Sequence, residues 1–202
     1  MKNYLIGKLI LVVFFLNTNV LAGNNHASDE WQIEAYSSAA PSFIGDFATI
    51  IGGTGEIIRE GSNGWVCQAG NPRPFPENGW KDVHEAMPAC SDKEAMKWMM
   101  AYMTGKEPEL DNDGWMWMLH GDVGEDNLKA GVLNKKDSTP GQWIESGPHL
   151  MLMPKDPSSL DNMNADFSNG APYVMFPETI WAHVMIPVEG YYEYQKESEP
   201  KN

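Results

Sequence analysis

Apolar and polar positions change their rhythm along this chain, and each change marks an expected element. An unbroken apolar run, Leu9 to Leu16, follows Lys2 and Lys8 and leads to Val20-Leu21-Ala22, the small residues a signal peptidase reads. The run is about half of the roughly 20 residues that a bilayer-spanning helix needs. Residues 1–22 are therefore expected to be a secretory signal peptide, and 23–202 a single globular domain with frayed ends that has no use for a membrane after cleavage. Trp31 to Phe47 mixes small and apolar residues around Pro41 and predicts a short helix or irregular lead-in. Two β-branched runs, Ala48–Ile51 and Glu56–Arg59, flank Gly52-Gly53-Thr54-Gly55 and predict a hairpin. Asn63-Gly64 predicts a tight turn before Trp65, and the prolines of 70–80 a loop.

Ala95, Trp98, Met99, Tyr102 and Met103 recur at i, i+3, i+4 spacing, the stripe of an amphipathic helix. Ser91 and Glu94 read as its capping box and Gly105 as its stop. Beyond residue 110 the pattern shifts to alternation: Gly114–His120, His149–Met153, Pro172–Phe176 and Trp181–Val188 predict strands, with the Gly-, Asp-, Asn- and Pro-rich segments 121–142 and 154–171 as loops. The fold class expected is mainly β (α+β), a β-sandwich or small barrel with one packed helix.

Composition narrows the partners. A formal net charge of −14 repels phosphate and argues against nucleic acid. The two cysteines, Cys67 and Cys90, lie in the exported part, where an even count favours a disulfide worth about 3 kcal/mol. The expected location is periplasmic or secreted.

The chemistry the sequence offers is soft. Met116, Met118 and His120, then His149, Met151 and Met153, then His183 and Met185 share a face of their strands, because strand side chains alternate with a period of two. Imidazole with thioether suits Cu(I). If the strands bearing His149 and His183 pair, the two imidazoles could meet around one ion, with Met151 or Met185 assisting; zinc would need a further ligand such as His120 or Asp122. The same pattern also describes a methionine-rich core. Trp115 and Trp117 fall on the opposite face and could line a groove for a small molecule. Glu109–Gly114 opens like a calcium loop, but its twelfth position is His120, where a bidentate Glu belongs.

No G-x-S-x-G elbow, H-E-x-x-H, Walker loop or G-x-G-x-x-G is present. Asp122 and Glu125 near His120, or Glu145 beside His149, could act as acid and base. The blocks Arg59-Glu60-Gly61-Ser62-Asn63-Gly64-Trp65-Val66-Cys67, Gly147-Pro148-His149-Leu150-Met151, Pro172-Tyr173-Val174-Met175 and Ala182-His183-Val184-Met185-Ile186-Pro187-Val188 resemble a group of uncharacterised secreted bacterial proteins. The resemblance runs from about residue 37 to 188 and implies no activity; members of the group often lack a histidine at the position of His120, which leaves His149 and His183 as the better pair. Three readings follow: an exported copper-binding protein, a secreted metal-dependent enzyme acting on a small organic substrate, or a structural or interaction module without metal.

Overall fold

The computed structural model describes residues 25–201, so the expected signal peptide lies outside the described residues. In chain order the elements are α1 (Asp29–Ser37), α2 (Ser42–Gly45), β1 (Thr49–Ile51), β2 (Ile57–Arg59), β3 (Val66–Ala69), α3 (Val83–Ala86), β4 (Pro88–Ser91), α4 (Lys93–Met103), β5 (Gly114–Met118), β6 (Glu125–Asp126), β7 (Trp143–Ile144), β8 (His149–Met153), β9 (Tyr173–Met175) and β10 (His183–Pro187). Eight strands form one mixed sheet in the order β2-β1-β3-β4-β5-β8-β10-β9, and β6 pairs with β7 in a separate ribbon. The β-rich α+β class is the one the sequence implies. The sheet is open, however, and helices with loops cover it where a sandwich or barrel was expected.

Two cores lie on opposite faces of that sheet. Tyr36, Ala39 and Ala40, from α1 and the turn after it, pack with Ile50, Cys67 and Cys90 of β1, β3 and β4. Trp98 and Met99 of α4 pack with Met116, Met151, Met175 and Met185 on the other face, over β5, β8, β9 and β10. Alternation decides this division, since in β5 and β8 every second residue is buried and the intervening Trp and Leu residues are not. Gly114 is required where α4 crosses β5, because a Cβ there would lie 2.4 Å from the Ala95 nitrogen.

The hairpin of β1 and β2 forms as expected. The chain then passes over the start of β1 to lay β3 parallel to it on the far side. Gly61 makes the crossing possible: a Cβ there would sit 2.2 Å from the Thr49 nitrogen. Asn63 secures it by donating to the Ile44 carbonyl and accepting from the Trp65 amide, and Arg59 donates to the carbonyls of Gly45 and Ala48. Within the Arg59–Cys67 block, Arg59, Gly61 and Asn63 thus serve the crossing. Cys67 and Cys90 face each other across β3 and β4 and form the disulfide.

The start of α4 corrects the sequence reading by one residue. Ser91 is still strand, paired with Val66 on one side and Met116 on the other, and its buried hydroxyl finds no partner. Asp92 is the cap, accepting from the Ala95 amide at 2.8 Å and from Trp115 at 2.9 Å. In the 109–114 turn Asp111 pairs with Lys97 and Asp113 accepts from the Lys155 amide.

Candidate functional site

His149 and His183 each open a strand, and each imidazole is anchored in the same way. Nδ1 of His149 lies 2.7 Å from the Gly147 carbonyl and Nδ1 of His183 lies 2.9 Å from the Trp181 carbonyl, in both cases two residues back along the chain. A carbonyl only accepts, so Nδ1 carries the proton and Nε2 keeps its lone pair. The Gly147 turn is tight enough to exclude any side chain, since a Cβ there would meet the Gly190 carbonyl at 2.5 Å. Burial pushes both imidazoles down to about 4, so they are neutral at physiological pH. Nε2 of His149 is fully buried without a hydrogen-bond partner.

Sheet register places methionines on the same face as these two histidines. Directly paired residues point to the same face, with Cβ atoms about 5 Å apart. The middle row of the cavity face reads Met116, Met151, Met185 and Tyr173 across β5, β8, β10 and β9. One row away His149 sits opposite Met118, and on the other side of the middle row His183 sits opposite Met175. Because β8 and β10 are antiparallel and each histidine begins its strand, the two lie at opposite ends of the ladder: His149 pairs with Pro187, four residues from His183. That is roughly 14 Å along the strand. Along the backbone the two histidines therefore bracket the methionine row, while both side chains reach the same cavity and His183 adds to the lowering of His149.

Both histidines line one cavity of about 80 Å³, together with eight methionines. Trp98 and Phe176 meet the His183 ring edge-on, with centroids 4.9 and 5.4 Å away, and Tyr102 stacks between them. Asp122 and Glu125 supply the carboxyl groups of the wall. Among the described residues no three His, Cys, Asp or Glu side chains converge as a metal cluster.

No protein-family model, curated protein or solved structure matches this chain.

The remaining residues singled out from the sequence lie elsewhere. His120 follows β5 on the α1 side, where Nε2 lies 2.7 Å from Ser38 Oγ and its carbonyl accepts from His84; it does not join His149 and His183. Trp117 packs against the α1 core while Trp115 is 39 % exposed, so the two rings do not share a groove. Met175 completes the soft face and was not among the expected ligands, although its alternation with Tyr173 signals it. Glu125, bonded to the Tyr102 hydroxyl and to the Gly131 amide at 3.0 Å, reaches the cavity from β6, a two-residue strand with no period to detect.

Proposed function

We propose that this is an exported soft-metal-binding protein that holds Cu(I) between neutral imidazole and thioether ligands. His149 with Met118 and Met151 forms the tighter position, and His183 with Met175 and Met185 a second one at the other end of the methionine row. The observation that carries the reading is the buried, unpartnered Nε2 of His149, on a cavity lined with methionines. An imidazole wanted only for packing would find a donor, because leaving such an atom unpaired costs about 1–3 kcal/mol. Thioether sulfur favours Cu(I) over zinc, which the absence of a convergent N/O/Cys trio among the described residues also disfavours. The volume tells against an organic substrate: about 80 Å³ is well below the roughly 300 Å³ at which small-molecule pockets begin.

Competition of the purified protein against a chromophoric Cu(I) chelator tests the reading. His149→Ala is expected to abolish the tighter binding step, His183→Ala the weaker one, and the double variant both. Failure of the unaltered protein to compete, or equal competition by the double variant, rejects it.

A further inference from the structure

The ligands assigned above are all uncharged, so a cation entering this cavity brings a charge that nothing in its coordination shell balances. Removing a unit charge from water into a low-dielectric interior costs several kcal/mol unless an anion accompanies it. The cavity wall holds two groups able to supply that anion, Asp122 and Glu125. Neither is in any of the ion pairs of the described residues, which join Lys81 to Asp82 and Lys97 to Glu94 and Asp111. Every group bonded to them is neutral. Glu125 accepts from Tyr102 and Gly131, and Asp122 accepts from the amides of Gly124 and Ser146. Arg73, the one cationic side chain lining the cavity among the described residues, turns its guanidinium to Asn71 and the Leu133 carbonyl.

Resting on the soft-cation reading, we propose that Glu125 is the counter-ion of the site: a monovalent soft cation is taken up as the Glu125 carboxyl gives its proton to solvent. The exchange is electroneutral, the ion entering and one proton leaving, with no change of oxidation state. The groups that face Glu125 are Tyr102 from α4, Arg73 from the loop between β3 and α3, Asp122 and Asp126 from its own segment, and across the cavity His149 of β8 and His183 of β10. Asp122 and Asp126 oppose ionisation of Glu125, and the Tyr102 and Gly131 donors favour it. Burial outweighs those donors and pushes Glu125 up to about 7, and Asp122 to about 6, so a proton is there to release near neutrality. The imidazoles are already unprotonated at that pH and contribute none.

Silver(I) nitrate, a redox-silent soft cation, is the probe, titrated into the full mature protein in weakly buffered, chloride-free solution with released protons counted by an indicator dye. The expected result is about one proton per silver ion at pH 6, falling towards zero by pH 8.5, with affinity rising about tenfold per pH unit below pH 7 and levelling above it. Glu125→Gln is expected to bind silver with most of the release gone and about tenfold more weakly at pH 8, while Asp122→Asn keeps the release. The wild-type pH profile stands without any variant. Silver bound with no proton release at pH 6, or release lost in Asp122→Asn and kept in Glu125→Gln, overturns the counter-ion assignment and leaves the soft-cation reading in place. No silver binding at any pH overturns both.

Discussion

Buried titratable side chains set the character of this protein residue by residue, and they pull stability in opposite directions. Burial lowers His149 and His183 to about 4, so their contribution is complete above about pH 6.5 and is lost as the pH falls towards 4. Burial raises Glu125 to about 7 and Asp122 to about 6, so theirs is complete below about pH 4 and is lost as the pH climbs through 6 to 7. Between pH 5 and 7 the two trends offset each other. Replacing Glu125 by Gln preserves an acceptor for Tyr102 and Gly131 but removes the ionisable group. The variant is expected to gain about 1 kcal/mol at pH 8, some 2–4 °C in Tm, and nothing at pH 5. Thermal melts at the two pH values check this, and an equal shift at both would show that the carboxyl is not held protonated by its surroundings.

The elements show where sequence pattern is a sufficient guide. β8 is readable residue for residue because His149, Met151 and Met153 alternate cleanly with Leu150 and Leu152. β4 is not, since all four of its residues are buried and Pro88 at its start argues for a loop. That hidden strand also displaces the helix cap. Ser91→Ala should change stability little, because it removes a buried hydroxyl without a partner, whereas Asp92→Ala should cost about 1–2 kcal/mol by freeing the Ala95 and Trp115 amides. Denaturant midpoints of the two variants decide the matter; the reverse order would restore Ser91 as the cap. The disulfide joins β3 to β4, and β4 runs directly into α4. Removing it with a Cys67→Ala/Cys90→Ala pair should lower stability by about 3 kcal/mol, measured by the same midpoints.

For the molecule as a whole, the soft face was legible and its arrangement was not. Alternation alone assigns His149, Met151, His183 and Met185 to one side of their strands, but which strands pair, and in what register, depends on turns and on distant packing. The sheet resolves that by placing the histidines at opposite ends of a shared methionine row, and by sending His120 to the other face beside Ser38. The carboxyls that complete the cavity come from a Gly- and Asp-rich segment whose composition reads as surface. The account therefore stands on sulfur and imidazole acting together, and X-ray absorption at the copper edge of Cu(I)-loaded protein addresses that most directly. It is expected to show a mixed nitrogen and sulfur shell that loses nitrogen in the His149→Ala/His183→Ala variant. Copper lost on desalting, or a shell of nitrogen and oxygen without sulfur, would contradict it.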